Sequence, residues 1–259
     1  MSLLANLFRS SIGRKILMAV TGVILLGFVI GHLVGNLQIF SHPDKINGYA
    51  EFLHQTGGLL WAARIGLLLA VGIHVWAAVV LTLENKRARG TQAYGSTTWI
   101  RATLASRYVR WTGYVVLAFI VYHLAQFTFG VTNPADFKAG HDYVMQHDYS
   151  VMGLTAVKAG TVVPNVYLMI YRGFESAPVA VFYIIAVGLL SFHLLHGVDS
   201  LFQTLGLRSA RWSGGLRKLV ALLCLAYFLG NLVIPGAIVT GLLPLPAAAQ
   251  VAGIGTASK

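Results

Sequence analysis

The chain has 259 residues, of which 56% are hydrophobic and 10% charged, and a formal net charge of +11. A soluble domain carries roughly 25% charged residues, so this composition excludes an ordinary water-soluble fold and indicates a one-domain integral membrane protein. Nucleic-acid binding is excluded because the basic residues flank apolar runs, and a disulfide framework because Cys224 is the single cysteine.

Met1 to Ser11 is a short lead with Leu3, Leu4, Leu7 and Phe8 on one side, the pattern of an interfacial helix. It does not read as a cleavable signal, because the apolar run behind it is too long and no small-residue cleavage site closes it. Arg14 and Lys15 precede the charge-free run Ile16 to Phe40, long enough for a first membrane helix. Gly27, Gly31 and Gly35 recur along it at a spacing of four. That ladder serves either close helix packing or room for a flat macrocycle.

Ser41 to Ala63 reads as a connecting loop, and Ile65 to Leu83, bracketed by Arg64 and Glu84, as the second helix. A basic loop, Lys86 to Arg110, leads to a third helix within Trp111 to Ala135. The polar segment Asp136 to Glu175 follows, and its backbone must lie in water or against protein. The fourth helix starts near Pro178, a favoured first-turn residue, and runs past Asp199. Arg208 to Lys218 is a second basic loop, and Leu219 to Leu243 the fifth helix. The Pro- and Ala-rich tail, residues 244–259, reads as disordered. The expected fold is all-α, a five-helix membrane bundle over residues 1–243.

Lys and Arg concentrate in the N-terminal lead, the loop between the second and third helices, and the loop between the fourth and fifth. By the positive-inside rule the N-terminus is then cytoplasmic.

Four of the apolar runs carry candidate histidines: His32, His74, His123 and His193. An ionisable side chain in a membrane helix is expensive and marks function by default. At ~1.5 Å per residue, His32 lies about 25 Å past Lys15 and His123 about 20 Å past Arg110, both in the outer half of the membrane. His193 lies about 9 Å from Asp199, in the inner half. His74 sits midway between Arg64 and Glu84, so charge does not fix its depth. Elimination pairs His32 with His123 and His74 with His193. His196 shares a helix face with His193 and is an alternative ligand or a contact for a haem propionate. The plainer reading makes each histidine a helix–helix hydrogen bonder, and four helices each placing one weaken it. Zinc fits poorly, because these runs hold no carboxylate. Two bis-histidine pairs suit two b-type haems, since haem brings its own equatorial nitrogens. His42, His54, His141 and His147 fall in outer loops and read as solvated surface, with His54 also near enough to reach an outer haem or a quinone.

The motifs also resemble a known family. Ser11-Ile12-Gly13-Arg14-Lys15, Met18-Ala19-Val20-Thr21-Gly22 and His32-Leu33-Val34-Gly35-Asn36-Leu37 are similar to the opening of the two-haem cytochrome b anchor of succinate dehydrogenase and fumarate reductase. Ser106-Arg107 with Thr112-Gly113 resembles the start of that family's third helix. His193-Leu194-Leu195-His196-Gly197, followed by Ser200-Leu201-Phe202-Gln203-Thr204-Leu205-Gly206, resembles its fourth. The likeness runs from about Ser10 to Gly241.

The resemblance implies axial ligands at His32, His74, His123 and His193, two haem b groups, and location in a bacterial cytoplasmic membrane. It implies a flavoprotein and an iron–sulfur subunit as cytoplasmic partners, with the dicarboxylate site on the flavoprotein. Electrons would pass through the iron–sulfur subunit and the haems to a quinone, by family habit menaquinone. Glu51 and Glu175 flank outer helix ends and are candidate proton relays at a quinone site. Arg14, Lys15, Arg107 and Arg110 are candidate propionate contacts inside, and Arg64 or Arg172 outside. The alternatives are a cytochrome b anchor of another respiratory dehydrogenase, and a haem-free anchor or transporter. Transporters show internal repeats, and five helices show no convincing one.

Overall fold

The computed structural model describes residues 3–91, 95, 98, 99, 102–134, 137 and 142–250. Helix α1 (Leu3–Arg9) is the short lead. Ser10 then caps α2 (Ser11–Asn36) by accepting the Gly13 N–H at 3.0 Å. Gly13 is required there, because a Cβ would sit 2.5 Å from the Leu7 backbone of α1. A 3₁₀ turn, Leu37–Phe40, ends this span. Four further long helices follow: α4 (Gly58–Arg89), α5 (Leu104–Phe127), α7 (Ala177–Thr204) and α8 (Ser213–Val239). With α2 they are five helices long and apolar enough to cross a membrane. Their outward faces carry residues such as Val20, Ile24, Leu68, Leu69, Ile185, Leu222 and Leu223, a surface that only lipid would cover favourably. The protein is an all-α, multi-pass membrane bundle.

Packing sets the order. Helix α2 lies against α4, α7 against both α5 and α8, and α2 touches α7. Arg14 pairs with Glu84 while Thr21 meets His74, so α2 and α4 are antiparallel. Thr112 meets His193 while Phe119 meets Tyr183, so α5 and α7 are antiparallel as well. Pro235 lies inside α8 and is buried. Lacking an N–H, it leaves the Asn231 carbonyl without its intrahelical partner.

A polar cap covers the end of the bundle opposite α1. Here the sequence reading needs correction. The expected loop Ser41 to Ala63 contains a helix, α3 (Pro43–Gln55), with Pro at its start and Asp44 in its first turn. The polar segment after α5, for which no strands were expected, contains two small antiparallel sheets. Strand β1 (Asp142–Val144) pairs with β4 (Val162–Pro164), and β2 (Tyr149–Val151) with β3 (Leu154–Val157). Met152 and Gly153 turn the β2–β3 hairpin, both with positive φ, as a two-residue hairpin turn requires. Tyr143, Met145, Tyr149, Val157 and Val163 form a small core against Tyr49 and Phe52 of α3.

Helix α6 (Val166–Glu175) then leads into α7. Asn47 and Asn165, both buried, tie the cap together: Asn47 Oδ1 accepts the Tyr167 N–H at 2.8 Å, and Asn165 Nδ2 donates to the Ala249 carbonyl at 3.0 Å. The tail expected to be disordered thus begins with a packed stretch, including α9 (Ala247–Gln250) with Ala249 fully buried. Residues 251–259 lie outside the described residues.

Candidate functional site

Helices α2, α4, α5 and α7 each carry one candidate histidine, and packing brings these rings into two pairs. His32 of α2 and His123 of α5 meet edge to face, with ring centroids 5.7 Å apart. His74 of α4 and His193 of α7 meet with centroids 6.4 Å apart. Chain direction explains the membership: α2 and α5 run one way and α4 and α7 the other, so like-directed helices bring similar depths together.

The second pair sits beside Gly22 and Gly113. A Cβ at either glycine would lie 3.6 Å from His74 Cε1 or 3.5 Å from His193 Cε1, respectively. Gly22 therefore marks the depth of His74, which charge alone left open. Along α2 from Gly22 to His32, and along α5 from Gly113 to His123, the rise is in each case roughly 15 Å. Two independent helices thus give one separation between the pairs.

The hydrogen bonds around the second pair define a tautomer. Thr21 Oγ1 donates its single proton to the Leu17 carbonyl at 2.7 Å, and lies 3.2 Å from His74 Nδ1. With that proton committed, the hydroxyl accepts from an Nδ1–H. Thr112 repeats the device: it donates to the Val109 carbonyl at 3.0 Å and lies 3.2 Å from His193 Nδ1, which is also 3.3 Å from that carbonyl. Both rings therefore hold hydrogen at Nδ1 and keep the lone pair on Nε2. Metal-ligating histidines have this arrangement, in which the outer nitrogen is engaged and the ligand nitrogen is oriented. At the first pair, Tyr183 Oη donates to Gln126 Oε1 at 2.8 Å and lies 3.4 Å from His123 Nδ1. His32 stacks on Phe28, with centroids 5.3 Å apart.

Sequence reasoning did not assign roles to Thr21, Thr112, Tyr183 or Gln126. The signal was present as a Thr-Gly dipeptide recurring at 21–22 and 112–113 in apolar runs. The glycine ladder of α2 is not uniformly a packing device. A Cβ on Gly27 or Gly31 meets nothing within 4 Å, whereas one on Gly35 would lie 2.7 Å from the Tyr49 ring.

The remaining candidates are scattered. His196 is half-buried on α7, and it is His193 that meets His74. Arg14 is buried and engaged by Glu84 and by the Phe8 carbonyl at 2.9 Å. Lys15 and Arg110 are exposed. Arg107 lies over the Trp99 ring at 5.6 Å, and Arg64 over Trp61 at 5.3 Å. Glu51 accepts from Gln55 Nε2 at 3.2 Å, and Glu175 pairs with Arg172 at 2.8 Å. Glu51 and Glu175 both lie at the cap end of the bundle. His54 is exposed at the end of α3, and His141 lies outside the described residues. His42 and His147 are not simply solvated, because both approach buried Asp44.

With ring centroids 5.7 and 6.4 Å apart, each pair stands close enough for its two imidazoles to share one metal ion, and the donor set, two imidazoles per pair, suits haem iron, which brings its own equatorial nitrogens. Comparison with family models, curated proteins and solved structures finds no match to this chain.

Proposed function

We propose that this chain is the dihaem cytochrome b membrane anchor of a succinate:quinone oxidoreductase, a complex of the succinate dehydrogenase and fumarate reductase type. One observation carries the reading: two histidine pairs stand at two depths of a membrane bundle, and three of the four rings have a hydrogen-bonding partner at Nδ1. His32 with His123, and His74 with His193, would each hold one haem b. Bound there, the haems supply one-electron redox chemistry whose potential follows from ligation, hydrogen bonding and burial.

The chain's own residues do the rest. Thr21 and Thr112 keep a proton on Nδ1 of the second pair, so that Nε2 would be the ligand nitrogen. The apolar walls exclude water. The roughly 15 Å between the pairs would set the spacing of the two groups along the helix axes. Arg9, Arg14, Lys86, Arg87, Arg89 and Arg107 lie at the α1 end, and the positive-inside rule makes that end cytoplasmic. The flavoprotein and iron–sulfur partners would dock there, in a bacterial cytoplasmic membrane. The quinone, read as menaquinone from the resemblance, would then be handled at the cap end. Glu51 or Glu175 would hold or pass its proton.

The test is a dithionite-reduced minus oxidised spectrum of the detergent-purified protein, with haem counted per chain. The proposal requires two low-spin b haems. His193→Ala should leave one and His196→Ala both. No haem, or two haems retained in both variants, would overturn it. Co-purification of a flavoprotein distinguishes this complex from another respiratory dehydrogenase.

A further inference from the structure

Three ligand-bearing side chains converge far from the histidine pairs, in the polar cap. His42 and Asp44 open α3, and His147 lies on the turn between β1 and β2. Asp44 is 3% exposed. Its Oδ2 lies 2.7 Å from His147 Nδ1 and 2.9 Å from His42 Nδ1, and it also accepts the His147 backbone N–H at 3.0 Å. Two imidazole nitrogens and a backbone N–H thus converge on one carboxylate oxygen. His42 presents a conflict. Its Nδ1 caps α3 by accepting the Asp44 N–H at 3.4 Å, which needs a lone pair, yet the same atom faces a carboxylate oxygen. A cation bound by the His42 lone pair and the Asp44 carboxylate turns that repulsion into shared coordination, with the Asp44 N–H giving up its 3.4 Å bond.

We infer that His42, Asp44 and His147 form a binding site for a divalent transition-metal ion of the zinc type. The three donor atoms lie within 4.8 Å of one another. Two imidazoles and one carboxylate suit borderline cations, with water completing the coordination sphere. Ligands on one zinc ion stand ~3.3 Å apart, so rotations of a few tenths of an ångström admit the ion. Tyr143 Oη donates to Asp44 Oδ1 at 2.8 Å, and the Gln146 N–H donates to it at 2.9 Å, fixing the carboxylate. The His147 side chain is 72% exposed, which opens the site to solvent and gives the ion an entry path. Bound metal would clamp the start of α3 to the β1–β2 turn.

The inference rests on the cap alone and stands apart from the haem reading. Full-length protein in detergent, stripped by a chelator, is titrated with zinc chloride against a chromophoric competitor; cobalt(II) absorption gives a second readout. One zinc per chain is expected, with affinity at least tenfold weaker in His147→Ala and in His42→Ala. Tyr143→Phe should weaken it about tenfold. His147 is exposed, so its variant keeps the fold. Absence of stoichiometric zinc, or unchanged affinity in both histidine variants, sinks the idea.

Discussion

Thr21 and Thr112 show how much one hydroxyl can decide. Each spends its only proton on a carbonyl of its own helix and offers a lone pair to a histidine of the neighbouring helix. Replacement by valine keeps the shape and removes the acceptor. For His74, that leaves a buried N–H without its hydroxyl partner, a loss of about 1–3 kcal/mol. Such orienting partners are commonly worth about 10–100-fold in metal affinity. On the dihaem proposal, Thr21→Val and Thr112→Val should therefore lower the haem-to-protein ratio of the second pair or shift its midpoint potential, while Thr21→Ser keeps both. Redox titration checks this. Wild-type haem content and potentials in both valine variants would assign the threonines to packing alone.

At the scale of elements, glycine decides which helices approach closely. A Cβ on Gly48 would sit 2.5 Å from Tyr149 Cβ, so α3 meets the β2 strand through that glycine. Gly48→Ala should displace the strand and destabilise the cap by about 1–3 kcal/mol, the usual range for overpacking. Gly236 of α8 has nothing within 4 Å of its would-be Cβ, and Gly236→Ala should be neutral or slightly stabilising as the better helix former. Thermal unfolding in detergent compares the two. A Gly48→Ala protein as stable as Gly236→Ala would mean that the strand is not seated on α3. The cap elements were the least legible in the sequence. Helix α3 had a usable signal in His42-Pro43-Asp44, with Pro43 placed for a first turn. Each strand is three or four residues long, too short for its period to stand out. The Met152-Gly153 turn was the clearest cue.

Sidedness is a property of the whole molecule. Helices α2, α5 and α8 run one way and α4 and α7 the other, which puts the loop between α7 and α8 at the α1 end and the β2–β3 hairpin at the opposite end. Met152 at the hairpin tip is 99% exposed, and Ser209 lies in the loop between α7 and α8. With Cys224 changed to serine, Met152→Cys should react with an impermeant thiol reagent from the outside of intact cells. Ser209→Cys should react only in inverted vesicles. Labelling of both from one side would break the topology.

The amino-acid sequence alone specifies the number of spans, their type and their charged flanks. Desolvation of a backbone in lipid allows only a continuous apolar helix, and that requirement is written residue by residue. It also determined which side chains were costly enough to notice, His32, His74, His123 and His193. Which rings meet, the depth of His74, the partners of Thr21 and Thr112, and the meeting of His42, Asp44 and His147 come from the folded chain. Most of those contacts join residues on different elements, far apart in the sequence. Such contacts are set by helix direction and close glycine packing, which local periodicity does not record.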